Sequence, residues 1–273
     1  MGCGLPILAY HKVDFRRDLG VTSLSPRRFE KQMGFLKHGG YKSISPCRVL
    51  DNEYKAPAKP VLITFDDGYE GIHAHACPIL KEYSYTAIIF VTTGYIGKYN
   101  DWDASPGPRF RHLCWSHIKE MAKDGIWFGS HGINHRFLTR QGKSAARYEI
   151  EDSKKELEDG LGQPIRFFSY PYGDYDERIM NLVQEAGYEA AFSLRPAFLN
   201  PGYVRDSMLA YALPRIAVYF VDSMWAFKAK VHCTPGGSIS HVQRVKNRLI
   251  NRCAYASMIV ERLRSQGARS RIR

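Results

Sequence analysis

The chain has 273 residues, 44% of them hydrophobic and 24% charged. That suits a soluble globular protein with one large domain or two small ones. No apolar run approaches the ~20 residues of a membrane-spanning helix. The formal charge is +12, and residues 244–273 hold nine basic residues against one acid, Glu261. The body is therefore nearly balanced and the tail is basic. Such a tail suits an anionic membrane surface, nucleic acid or an acidic partner, or is simply a solvated helix.

Met1–Tyr10 has an apolar patch but neither a basic start nor a small-residue cleavage site, so a cytoplasmic location is expected. Six cysteines, Cys3, Cys47, Cys77, Cys114, Cys233 and Cys253, are scattered without a CxxC pair. They read as reduced thiols.

In chain order, Leu5–Tyr10 reads as a buried strand. Pro26–His38 has helical spacing through Phe29, Met33 and Leu36, with Ser25 as its cap. Val61–Phe65 is a second strand and ends at Asp66-Asp67-Gly68. Gly71–Tyr83 reads as a helix and Thr86–Thr92 as a β-branched strand. A helix at Ser116–Lys123 precedes a strand at Ile126–Gly129. Lys143–Gly160 is a long polar helix with i,i+4 charge pairs. Strands follow at Ile165–Ser169, Ala190–Ser193 and Leu213–Val218, with helices at Tyr175–Ala186 and near Asp222–Lys230. Seven or eight alternating units imply a parallel sheet wrapped by helices, closer to a barrel than to an open sheet. Barrel chemistry sits where strands run into the following loops, and the polar motifs fall there. After Pro235-Gly236-Gly237, an apolar stripe through Val242, Val245, Leu249, Cys253, Ala256, Val260 and Leu263 has a basic opposite face. The expected division is a catalytic domain at 1–235 and a basic amphipathic helix at 236–273. That helix either packs on the body or meets an anionic membrane or partner.

Four segments carry chemistry. Asp66 and Asp67 sit at a strand end, where neighbours point apart, so one can bind a metal while the other takes a proton. The plain alternative is a turn that ends a strand. His131 and His135, four apart, can face one ion. Ten histidines in 273 residues give about 0.4 chance pairs at this spacing, so this pair gains weight only beside the two aspartates. An Asp with two His leaves positions open for water and substrate and suits zinc or another divalent transition metal. Such an ion would polarise a bound carbonyl and bring the pKa of its water towards ~7. Ser169-Tyr170-Pro171-Tyr172-Gly173 is either a structural turn or a rigid loop that offers a backbone N–H to an oxyanion and tyrosine rings to a sugar. His11 follows the first strand; it is a structural histidine or, at the same rim, a proton donor to a leaving amine.

Together TFDDG, SHxxxH and YPYG, in that order over residues 5–220, resemble the NodB-homology polysaccharide deacetylases, carbohydrate esterase family 4. The resemblance implies a distorted (β/α)7-type barrel with Asp67, His131 and His135 on the metal. Zinc is expected first, with cobalt or nickel as alternatives. Asp66 is then the general base, and the Tyr172 N–H helps form the oxyanion hole. Two features depart from the pattern. Its Arg-x-Pro-Tyr stands here as Ser169-Tyr170-Pro171-Tyr172, and its C-terminal Leu-x-His is absent. The N-terminal Tyr10-His11-Lys12-Val13 and Leu213-Pro214-Arg215-Ile216 instead resemble the permuted branch of the poly-N-acetylglucosamine deacetylases. There His11 would be the acid, and Arg215, otherwise an ordinary ion pair, would replace the missing Arg. Tyr170, Trp102 and Asp103, with Asn100 and Asp101, are candidate sugar contacts. The expected activity is removal of N-acetyl groups from an amino sugar in a polysaccharide, oligosaccharide or glycolipid. Nucleic acid is not an expected partner. A cyclic-imide or allantoin-like amide hydrolase and an inactive glycan-binding module are the alternatives.

Overall fold

The computed structural model describes residues 4–16, 21–51, 53–100, 108–199, 204 and 208–232. The expected helix at 236–273 lies outside them. Among the described residues no helix is long and apolar enough to cross a membrane.

Ten strands form. They are β1 (Ile7–Tyr10), β2 (Lys12–Val13), β3 (Ser23–Leu24), β4 (Lys42–Ser43), β5 (Pro60–Phe65), β6 (Ile88–Val91), β7 (Trp127–Ser130), β8 (Phe167–Ser169), β9 (Ala190–Phe192) and β10 (Ile216–Ala217). The main sheet runs β10-β1-β5-β6-β7-β8-β9, and every pairing is parallel. Between its strands lie α1 (Pro26–His38), α2 (Cys77–Glu82), α3 (Trp115–Lys123), α4 (Lys143–Leu161) and α5 (Glu177–Glu185), with α6 (Met224–Val231) after β10.

One segment joins the two edges. Leu213 pairs in parallel with Phe192 of β9, while Ile216 and Ala217 pair with Leu8 and Ala9 of β1. Pro214 between them has no N–H to donate, which splits the expected strand Leu213–Val218 into a bridge and a two-residue ladder. The ring is a distorted barrel of seven parallel strands.

Residues two apart on a strand share a face, and the core divides on that period. Leu62, Ile88, Phe90, Phe167, Ala190 and Phe192 form one apolar cluster with Ile7 and Leu213, the filling of the barrel. Their neighbours Leu8, Ile63, Ile89, Phe168 and Ala191 face the helices, against residues such as Phe29, Met33, Ile150 and Val183.

The expected helix at Gly71–Tyr83 opens instead as a π-helix over Ile72–Ala76 and becomes α-helical only from Cys77. Pro78 cannot donate to the carbonyl four residues back, and its ring crowds that carbonyl, which widens the turn before it. Ser25 precedes α1 but makes no side-chain capping bond. Among the described residues Cys47, Cys77 and Cys114 are free thiols.

Gly129 of β7 lies in the barrel filling. A Cβ there would come within 2.6 Å of the Phe90 ring and 2.8 Å of the Phe167 carbonyl. Gly129→Ala should therefore destabilise the fold by about 1–3 kcal/mol, read as a lower urea midpoint at unchanged m-value.

Candidate active site and metal centre

The site lies at the C-terminal rim of the barrel. His11, Asp66, His131, Ser169 and Arg215 each continue the inward phase of their strand. They follow Ile7 and Ala9, Leu62 and Thr64, Trp127 and Gly129, Phe167, and Leu213 respectively. The rim is thus polar on the face that is apolar one turn of the pleat below.

Asp66 is buried and held by Arg215. The guanidinium approaches both carboxylate oxygens, Nη1 to Oδ1 at 2.7 Å and Nη2 to Oδ2 at 2.8 Å. Arg215 also donates to Ser193 O, Thr64 Oγ1 and Ser169 Oγ. Ser169 stands where the family pattern has arginine, and its hydroxyl donates to Asp66 Oδ1 at 3.2 Å. Burial alone pushes the Asp66 carboxyl up. The charge of Arg215 outweighs it, with help from His131 and His11, and holds Asp66 ionised below the usual carboxylate range. His11 Nε2 lies 4.0 Å from Asp66 Oδ2. Burial pulls the His11 imidazole down, against the opposing pull of Asp67 and Asp66, so it rests neutral.

Asp67 is turned out of strand phase by a left-handed backbone, φ 69°, with Gly68 at φ 71° behind it. Two adjacent carboxylates therefore aim at different places. Asp67 Oδ1 faces His135 Nε2 at 3.1 Å and His131 Nε2 at 3.5 Å. One ligand atom from each of the three residues lies within 4.8 Å of the others. His131 Nδ1 is 2.8 Å from Ser169 O, so it carries the proton and leaves the Nε2 lone pair facing the carboxylate. Asp67 Oδ1 is itself buried without a hydrogen-bond donor. A lone pair and an anionic oxygen turned towards each other in a buried site suit a cation, and the donor set of one carboxylate and two imidazoles suits a divalent one.

Tyr172 sits at φ 61°, followed by Gly173 at φ 67°. The turn is closed by Gly173 N to Tyr170 O at 2.8 Å. A Cβ on Gly173 would lie 2.8 Å from Leu194 N and Cβ, so only glycine fits. The Tyr172 ring stacks on Phe137 at 4.0 Å and meets His135 edge-on at 4.3 Å, which brings this turn against the ion ligands.

Two expected sugar contacts are corrected. Tyr170 is fully buried; its hydroxyl donates to Tyr211 O, and its ring stacks on Tyr175. It belongs to the helix-side core because it is one residue out of phase with Ser169. Asn100 is buried and accepts Phe110 N at 2.8 Å, which ties the base of its loop. Asp101, Trp102 and Asp103 lie outside the described residues.

Three residues around the site were not singled out from the sequence. His112 places Nδ1 2.9 Å from Asp67 O, and burial brings its imidazole down to about 4 against the pull of Asp67. Lys12 is buried, with Nζ 4.9 Å from the ring centres of both Tyr69 and Phe110. Glu149 of α4 holds the loop that carries both histidines.

A rim of strand-end carboxylates and imidazoles on a parallel barrel, with a buried Asp-His-His cluster that could hold a metal ion, is the architecture of the NodB-type barrel. Residues 53–191 match the family model for polysaccharide deacetylase. YxkH of Bacillus subtilis, assigned to the polysaccharide deacetylases, is 33% identical over 217 residues, 78% of this chain and 71% of that protein. A poly-β-1,6-N-acetyl-D-glucosamine N-deacetylase of Staphylococcus aureus is 28% identical over 213 residues, 74% of this chain and 70% of its own. Among solved structures, IcaB from Ammonifex degensii superposes with a TM-score of 0.70 at 27% identity, covering 80% of this chain and 93% of that one. The Streptococcus pyogenes deacetylase PplD, solved with acetate, shares the fold with a TM-score of 0.72 over 85% of this chain and all of its own. The chain belongs to the polysaccharide deacetylase family, in which metal dependence is typical.

Removing the partner of a buried charge costs about 3–5 kcal/mol. Arg215→Met should lose that much stability, because Asp66 is left without its counter-charge. Urea unfolding at pH 7 checks it, and Asp66→Asn in the same background should recover part of the loss.

Proposed function

We propose that this protein hydrolyses the N-acetyl group of N-acetylglucosamine-type sugars in a glycan, with the poly-β-1,6-linked polymer as the first candidate substrate. The observation that carries this reading is the convergence of Asp67, His131 and His135 beside the Arg215-held Asp66. The name of the Staphylococcus aureus relative supplies the substrate class. Asp67, His131 and His135 would hold the ion, and zinc suits their carboxylate and imidazole donors best, with cobalt or nickel as substitutes. When bound, the ion supplies Lewis-acid polarisation of the acetyl carbonyl and of a water.

The rest falls to the chain. Asp66, kept ionised by Arg215, takes a proton from the attacking water. The Tyr172 N–H, on its rigid left-handed turn, donates to the carbonyl oxygen as charge develops there. His11 is neutral at rest, so it has no proton of its own to give. The proton that Asp66 removes from water passes to His11 and then to the departing nitrogen. Asp66 Oδ2 and His11 Nε2 stand 4.0 Å apart, longer than a hydrogen bond, so the proton crosses between them through the attacking oxygen or one bridging water. Overall the amide and one water become the amine and acetic acid, whose proton passes to the amine or to solvent to leave acetate, and both carboxylate and imidazole return to their starting states.

Asp66→Asn should keep the ion and lose about 10²–10⁴-fold in turnover, the usual weight of a general base. His131→Ala should lose the ion itself. Metal content by atomic absorption and acetate release from N-acetylglucosamine oligomers separate the two. Chelation should abolish acetate release, and added zinc should restore it. Full turnover by Asp66→Asn, or full metal content in His131→Ala, would refute the assignment. Release of ammonia or a ring-opened product from a cyclic imide, without acetate from sugars, would shift the reading to the other amide hydrolases.

A further inference from the structure

The loop from His131 to His135 carries two of the three proposed ion ligands, yet it belongs to no helix or strand. Its backbone is fixed from both sides. On one side Thr93 N donates to Gly132 O and Gly94 N to Ile133 O, each at 3.0 Å. On the other side stands the carboxylate of Glu149. Its Oε2 accepts Ile133 N and Asn134 N, both at 2.8 Å, and its Oε1 accepts Asn134 Nδ2 at 2.8 Å. Glu149 is 3% exposed, near the middle of the 19-residue helix α4.

Three features set this apart from an ordinary buried carboxylate. The three groups within hydrogen-bond reach of it are all donors, and the Arg136 guanidinium stands 3.9 Å from Oε1, so an acceptor-only side chain is demanded; an amide would turn its own N–H2 against an N–H. Both the backbone and the side chain of Asn134 are held, and Asn134 immediately precedes His135, whose φ is 52°. Gly132 at φ 77° gives the carboxylate room, since a Cβ there would sit 3.2 Å from Oε2.

We infer that Glu149 is the positioning residue of the ion site. It touches neither ion nor substrate. It fixes the peptides before His135 and so sets where His135 Nε2 stands relative to Asp67. This rests on reading Asp67, His131 and His135 as a metal centre.

The test is a charge-conserving swap followed by direct metal binding. Glu149→Gln places an amide against donors. Asn134→Asp sets a second carboxylate against the first. Each single variant should weaken zinc binding about 10–100-fold, the scale of losses when the partners that orient metal ligands are removed. In the double variant Glu149→Gln with Asn134→Asp, the amide oxygen can accept both backbone N–H groups while its N–H2 donates to the new carboxylate. Affinity should return to within about threefold of wild type, and the visible bands of the cobalt-loaded protein should return with it. Competition with a chromophoric chelator gives the affinities, and circular dichroism of the metal-free proteins reports folding. Single variants that bind zinc as wild type does overturn the inference. So does a double variant that is unfolded, or folded but no tighter than the singles. If the singles fail to fold, the double variant against wild type decides alone. Wild-type protein that binds zinc yet releases no acetate would sink the deacetylase reading and leave this one standing.

Discussion

One buried ion pair holds both the barrel and its chemistry. Arg215 has five N–H donors, and five acceptor contacts surround it: two oxygens of Asp66, Thr64, Ser169 and the Ser193 carbonyl. Taking a guanidinium and a carboxylate out of water costs several kcal/mol per ion, and only such complete pairing offsets it. The partners lie on β5 and just past its end, on β8 and just past β9, while Arg215 lies on the segment that joins β9 to β1. The interaction that closes the ring is therefore the one that aims the proposed base. Phe90 and Phe192 line the guanidinium at 5.4 and 5.9 Å, which keeps the pair dry and its direction fixed.

A period of two explains why these groups meet. Each parallel strand sends alternate residues into the barrel, where Phe90, Phe167 and Phe192 fill it. One step further along, the same phase delivers His11, Asp66, His131, Ser169 and Arg215. No helix or domain movement is needed to assemble them. The low-dielectric filling below strengthens every charge interaction at the rim, which is how Arg215 outweighs the burial of Asp66.

Much of this was legible in the sequence because it is local. The strand ends at Asp66 and His131 follow from apolar runs cut by polar motifs, and the helices follow from their spacing and breakers. Arg215 beside Asp66 was reachable only through resemblance, since 149 residues separate them and nothing in either segment names the other. Tyr170 misled because a turn motif reads as exposed, while its strand phase puts the ring among Phe168 and Tyr175. A signal for Glu149 was present and unread. Ala146, Ile150, Ser153 and Leu157 mark the buried face of α4, and Glu149 sits on that face. An acid on an apolar stripe implies donors waiting for it, but only the fold shows that they belong to the histidine loop. Pro78 and Pro214 had the same character: each was visible, and each broke an element that periodicity alone would have continued.

The backbone offers a test of the site that owes nothing to sequence motifs. Four non-glycine residues among those described have left-handed φ: Asp67, Ser84, His135 and Tyr172. Three of the four surround one point at the barrel rim. Such conformations cost of order 1–3 kcal/mol each. Aspartate and histidine accept them more readily than most residues, whereas a tyrosine gains nothing locally by adopting one. A chain under no constraint would relax these turns. Here His135 is kept in place by the clamped loop before it and by the Tyr172 ring against it, and Tyr172 by Phe137 and the turn through Gly173. The strain is thus maintained by the packing that surrounds it. Its concentration around Asp67 Oδ1 is what a preorganised ion site requires, because ligands free to relax would have to be gathered again at each binding event.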